Sequence, residues 1–317
     1  MSYALYGNIQ ATDYNTLVGG NPVTSSGALN TVWATGGTTA GYGQTALANV
    51  AVGNLVYAVE WANLINKTSN SASHQGTSIT AVTAPVTGNI IEYNSTIPTN
   101  LTTIYNSRLN AATQGATTAN TTVYPSQWSS ALTFTNTVTF ANGDAARYFF
   151  NSGGQLKITC SHANATGGIN LLLNNLASNV GTIVMSAPTS GTITVSSTSY
   201  NGVTKIGGGG TAPTINTNSG YYARTTANAT LFTQTASTGP AYYLATNIAV
   251  IAKSNGTQGS NGDTGSVITI YTIWDEVPDG YVAGAGTTTT LTAQAPETTY
   301  LANTWGTISI SGTVSGS

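Results

Sequence analysis

Leu132-Thr133-Phe134-Thr135-Asn136-Thr137-Val138-Thr139-Phe140 is the stretch that decides the reading of this chain. Positions 132, 134, 138 and 140 are apolar, Asn136 keeps their parity, and threonine fills every place between. A strand turns successive side chains to opposite faces, so this period of two predicts a half-buried antiparallel strand. Segments of the same kind follow at 155–160, 192–195, 229–233, 242–252, 266–274, 287–293 and 307–310. Residues 267–273 are apolar or aromatic on both faces, which places that segment in the middle of a sheet. Pairing such neighbours predicts a mainly β fold, an antiparallel β-sandwich-like domain over 126–317.

One helix is expected inside that domain. Ile169, Leu172, Leu173, Leu176 and Val180 recur at helical spacing, and leucine has strong helix propensity. Turns are marked by Asn142-Gly143-Asp144, Asn201-Gly202, Gly207 to Gly210 and the polar run 255–265. No repeat of 20 to 50 residues is visible, which argues against a solenoid or propeller.

The first 125 residues read as a mixed, loop-rich region with two short helices. Residues 1–53 are punctuated by Gly19-Gly20, Asn21-Pro22, Gly36-Gly37 and Gly41, with Tyr14, Trp33 and Tyr42 as aromatic anchors. Leu55, Ala58, Val59, Ala62 and Ile65 then share one face of a helix ending near Thr68. Leu101, Ile104, Tyr105 and Leu109 predict a second helix after Pro98, with Thr99 as its cap. The run 111–122 has no period and reads as a linker, so a domain boundary is expected near 125.

Composition narrows the function. Only 5% of the 317 residues are charged, seven basic and nine acidic, against roughly 25% in ordinary soluble domains. The chain is nevertheless 40% apolar with 17 Tyr, 5 Phe and 5 Trp, so it should fold rather than stay disordered. At 32.2 kDa, folding should hide roughly three-quarters of the unfolded surface. Threonine supplies roughly one residue in six. A net charge of −2 offers no basic stripe for phosphates, which argues against nucleic-acid binding. Scarce charge also removes the repulsion that keeps monomers apart, so association with copies of itself is expected. No apolar run approaches eighteen residues, so membrane insertion is not expected.

At Arg147-Tyr148-Phe149-Phe150-Asn151-Ser152-Gly153-Gly154 the chain resembles virion structural proteins of tailed bacteriophages, in which this run leads into a strand. The resemblance extends weakly through 168–183 and through the pieces 13–17, 41–44, 60–64 and 74–76. It samples most of residues 1–185, whereas 186–317 is similar only in its β-rich composition. It implies a particle component of the tail, baseplate, neck or a fibre, located in the virion, with other virion proteins as partners and no catalytic residues. Taken on the residues alone, Tyr148, Phe149 and Phe150 would place aromatics on both faces of an extended segment. Asn151 and Ser152 would turn it, and Gly153-Gly154 would supply positive φ or a bulge before Leu156, Ile158 and Cys160. Arg147 would pin this corner through Asp144 or a main-chain carbonyl.

Sharper chemistries find little support. Cys160 and His162 would share a face of a strand, but the one cysteine and the other histidine, His74, cannot complete a closed zinc site; a packed cysteine and a loop histidine are expected. Asp275, Glu276 and Asp279 form the best acidic cluster, yet Asp275 and Glu276 should point to opposite sides and 278–280 is turn chemistry. No Gly-x-Ser-x-Gly elbow occurs, and Gly207 to Gly210 lacks the Lys-Ser/Thr that grips phosphate and reads as a flexible loop. The glycosylation-like triplets at Asn66, Asn100 and Asn228 are what chance yields in so Asn- and Thr-rich a chain. No enzyme, cofactor or metal is therefore expected. Tyr221, Tyr222, Tyr242 and Tyr243 remain: exposed, they would stack on sugars and serve a host-surface glycan; buried, they would pack the core or a subunit interface.

Overall fold

The computed structural model describes the chain except residues 1–9, 20–27, 38, 90, 92–94, 165, 240, 278–280 and 317 and the side chain of Tyr242. Four helices open it: α1 (Ala11–Val18), α2 (Leu29–Trp33), α3 (Ala58–Gln75) and α4 (Thr96–Asn106). Then come β1 (Gln114–Tyr124), β2 (Ala131–Thr139), α5 (Gly143–Asn151), β3 (Gln155–His162), α6 (Gly168–Val180) and β4 (Thr182–Met185). The short strands β5 (Ile193–Val195), β6 (Thr198–Tyr200), β7 (Val203–Ile206) and β8 (Thr214–Ile215) follow. The last five are β9 (Ala229–Thr235), β10 (Asn247–Ser254), β11 (Val267–Asp275), β12 (Thr287–Pro296) and β13 (Ser309–Gly316).

The fold is mainly β and sandwich-like. One sheet runs β1-β12-β3-β4-β7 and the other β13-β2-β11-β10-β9-β8, with every neighbouring pair antiparallel. In β2 the even positions 132 to 138 are buried and the threonines between them are half-buried, as the alternation requires. Strand β11 lies between β2 and β10, so the expected central position is observed, although only its even positions are fully buried. Helix α6 buries all five residues of its predicted stripe and reaches β3 of one sheet and β9 and β10 of the other. Burying one leucine of this kind contributes roughly 1.5–3 kcal/mol, so this helix anchors both layers.

Several expectations change. The run 111–122 is no linker: most of it is strand β1, paired with β12 from Thr117 to Tyr124. One face is exposed and the other, with Asn120, Thr122 and Tyr124, only half-buried, so no apolar period marks it. Residues 242–252 divide into a single 3₁₀ turn at Ala241–Tyr243 and strand β10. The first predicted helix starts later and ends later, at Ala58–Gln75, and turns a different face inward. Trp61, Leu64, Ile65, Thr68 and Ala72 are buried, whereas Leu55 and Val59 are 73% and 61% exposed. Helix α4 begins at Thr96, so Thr99 lies inside it and Pro98 occupies its first turn, where a missing N–H removes no helical bond.

The helices of the N-terminal region build their own core from Tyr14, Leu29, Val32, Trp33, Tyr42, Trp61, Leu64, Leu101 and Ile104. Leu301, from the segment joining β12 to β13, completes it. Trp33 lies under Lys67, whose ammonium is 4.7 Å from the ring centroid.

Candidate functional site

The run Arg147 to Gly154 departs most from expectation and is also the most informative. Arg147 to Asn151 is helical, not extended, and ends α5. Asn142 caps that helix, its Oδ1 accepting from the Ala145 amide at 2.8 Å. On a helix the residues 145, 146, 149 and 150 share a face, and all four are buried. The β-rich half therefore carries a second helix beside α6. Phe149 and Phe150 meet edge to face at 5.0 Å, and Phe150 stacks on Tyr221 at 4.3 Å. Gly153 has the expected positive φ, +87°, and an added Cβ would lie 2.5 Å from that of Ala111.

Two of the other quoted pieces, 41–44 and 74–76, converge here, whereas 13–17 and 60–64 pack in the helical core. Residues 39–44, an extended segment of the helical region, are held one after another. Arg108 Nε donates to the Thr39 carbonyl at 2.9 Å, Arg147 Nη1 to that of Ala40 at 2.6 Å, and Asn151 Nδ2 to that of Gly41 at 2.9 Å. Thr304 Oγ1 donates to the Tyr42 carbonyl at 2.6 Å, and the Tyr148 ring lies against Gly43 where any Cβ would stand. Gln44 exchanges two bonds with Ala302, Nε2 to its carbonyl and Oε1 from its amide, both at 2.9 Å. From α3, Gln75 Nε2 donates to the Tyr42 hydroxyl at 2.8 Å and to the Ile104 carbonyl at 2.9 Å. His74 Nε2 lies 3.1 Å from the Ser152 carbonyl, so that nitrogen carries the proton. The strap 39–44 thus joins the helical region to the sandwich.

The electrostatics of this seam follow from burial. Arg147 is buried, and its Nε and Nη2 both bond Asp144 Oδ1, at 3.1 and 3.0 Å, as the sequence reading anticipated. Its guanidinium also lies over Tyr148, 4.8 Å from the centroid. Burial pushes the Tyr42 hydroxyl well above the ordinary tyrosine range and holds the His74 imidazole down to about 4. All three arginines are turned inward: Arg224 donates to the carbonyls of Gly220 and Ala252, both at 3.2 Å.

The tyrosine candidates part company. Tyr221 is fully buried under Phe150, and the hydroxyl of half-buried Tyr222 donates to Asn151 Oδ1, so neither presents a ring to a sugar. Tyr243 is also buried, and the side chain of Tyr242 lies outside the described residues. Tyr221 packs the core because the segment after β8 folds back over α5, whereas Tyr243, on the turn between β9 and β10, meets Tyr281 edge to face.

Cys160 and His162 do share a face of β3, but His162 ends a strand and is buried, not on a loop. Its Nε2 donates to Asn170 Oδ1 at 3.1 Å and its Nδ1 accepts from Thr287 Oγ1 at 2.9 Å. Trp128 Nε1 donates to that same hydroxyl at 3.0 Å, and the Gly284 amide to Asn170 Oδ1 at 2.6 Å. Hydroxyl, imidazole and amide stand in the order of a nucleophile relay. Thr287 is fully buried with the indole on its oxygen, so the network holds β12 to β3. Burial raises the Cys160 thiol to about 12 and lowers His162 below the usual imidazole range.

Asp275 is exposed and Glu276 buried, the opposed arrangement expected, while Asp279 lies outside the described residues. Gly207 to Gly210 is not a free loop: the Gly209 amide donates to the Asn179 carbonyl at the end of α6, and Gln234 grips the Gly209 carbonyl at 2.7 Å. Among the described residues no group of three His, Cys, Asp or Glu could hold a metal, and no helix is long and apolar enough to cross a membrane. No family model, no curated protein and no solved structure matches the chain.

Proposed function

We propose that this chain is a structural component of a tailed-phage particle, in its tail, baseplate, neck or a fibre, acting by association with copies of itself and docking to other virion proteins. The observation that carries the reading is the seam. Every residue of Arg147 to Gly154 holds or abuts the strap 39–44, the core or a neighbouring chain segment, so the run that resembles virion proteins acts as a joint. A motif used wholly for internal fastening fits a building element better than a binding or catalytic one. The composition supports it further, because three of seven cations face inward and leave an exterior of hydroxyls and amides. The helical region, with Val52, Leu55, Tyr57 and Val59 exposed along one loop and helix start, is the part assigned to docking.

The test is quantitative mass spectrometry of gradient-purified particles made by the genome that carries this sequence. A fixed copy number per particle is expected. A chain that stays in the soluble lysate and leaves the particle fraction empty contradicts the proposal.

A further inference from the structure

The two sheets end very differently on their two sides. On one side the edge strands are β7, four residues including Lys205, and β8, two residues. That side is closed by the loop 207–213, which bonds to α6 and to Gln234. On the other side the edges are β1 and β13. Among the described residues β1 pairs only with β12, in unbroken register from Thr117 to Tyr124, and β13 only with β2, from Ser309 to Gly316. Each therefore leaves eight regular residues with one row of backbone N–H and C=O groups unmatched by any described strand.

Neither strand carries the usual sequence guards of an edge. Proteins blunt long edges with lysine, proline, inward charge or a covering loop; β1 reads QGATTANTTVY and β13 reads SISGTVSG, with no charge and no proline in either. The sole irregularity is the register shift between Gln114 and Thr117, at the end of β1 outside the regular stretch. The sheets are pinched together here, because a Cβ on Gly312 of β13 would collide with Thr122 Oγ1 and approach Asn120 Oδ1 of β1. The two edges are thus stacked one against the other at mid-strand.

We propose that this double edge is a self-pairing surface, on which a second copy of the chain continues both sheets at once. The inference rests on the assembly reading and names its first contact. A twofold axis normal to the sheets keeps each sheet in its own layer and reverses strand direction. It brings β1 against β1 and β13 against β13, both antiparallel, so a single operation satisfies both rows of backbone groups. The side chains fit this copy. Thr121 and Thr290 already join their hydroxyls at 2.9 Å across β1 and β12, and a β1 pair would extend that threonine ladder without opposing any like charges. Stacked edges accept a sheet pair of the same spacing, which a copy of this chain supplies.

Sedimentation velocity of the intact chain from micromolar to hundreds of micromolar tests this. Ala119→Lys with Val123→Lys alters the exposed face of β1, and Ser311→Lys with Thr313→Lys that of β13. The wild type should form a dimer, each double variant should weaken it about tenfold or more, and all four lysines should leave a monomer. Circular dichroism guards against misfolding. Should a variant fail to fold, hydrogen exchange of the wild type at low and high concentration replaces it, with added protection expected at 117–124 and 309–316. A dimer indifferent to all four lysines overturns the edge proposal and leaves assembly through another surface standing. Open-ended polymers overturn the twofold. A monomer throughout overturns the proposal, and the particle measurement above then decides the assembly reading separately.

Discussion

Acid should loosen the seam through His74. Burial holds its folded-state pKa down to about 4 against the ordinary 6.5, partly offset by the Ser152 carbonyl and by the charge of Glu297. The unfolded chain therefore binds the proton more readily than the folded one. The stabilising contribution is complete above pH 6.5 and is lost as pH falls toward 4. With those two values, linkage gives a loss of about 2 kcal/mol between pH 8 and pH 5, and roughly 3 kcal/mol at the acid limit. Urea unfolding followed by tryptophan fluorescence at pH 8 and pH 5, on wild type and His74→Gln, isolates the effect. His162, lowered by the same cause, and the carboxylates titrate in both proteins and cancel in the difference. The wild type should lose about 2 kcal/mol more than the variant over this interval. Parallel losses, within about 0.5 kcal/mol, would refute the reasoning that a neutral imidazole is required at the seam.

Other substitutions probe the remaining joints. Arg147→Met removes the donor to Ala40 and the partner of half-exposed Asp144, and should lower the unfolding free energy by about 2–4 kcal/mol in urea. Phe150→Ala empties the space between Phe149 and Tyr221 and should destabilise by about 3–5 kcal/mol, measured the same way. Thr287→Val leaves Trp128 Nε1 and His162 Nδ1 without their shared hydroxyl, and a loss of about 1–3 kcal/mol is expected in thermal or urea unfolding.

The parts of the fold that were legible are those whose burial differs between faces. Leu132 to Val138 and the leucines of α6 announce themselves because one face meets the core and the other does not. Strand β1 did not, since one face is exposed and the other, through Asn120, Thr122 and Tyr124, is only half-buried, and threonine suits either. For α3 two stripes compete, and the apolar one through Leu55 and Val59 loses to Trp61, Leu64, Ile65, Thr68 and Ala72, which include a buried hydroxyl bonded back to Leu64. The helix over Arg147 to Asn151 was hidden by reading Asn142-Gly143-Asp144 as a turn when Asn142 is a cap. The seam itself had a partial signal. The sequence points Arg147 to Asp144 or a main-chain carbonyl, but not to the strap whose carbonyls Arg108, Arg147, Asn151 and Thr304 hold at 39–42, because a main-chain acceptor leaves no mark on the identity of its residue. The Tyr221 and Tyr222 rings were ambiguous for a related reason, because tyrosine serves a core and a sugar surface equally well.

Image reconstruction of intact particles produced by the genome encoding this chain tests the central claim most directly. The account predicts density for the sandwich at a fixed, symmetry-related position, in contact with further copies and with the helical region turned toward another particle protein. Particles complete in every other component but with no density into which this fold can be placed would contradict it.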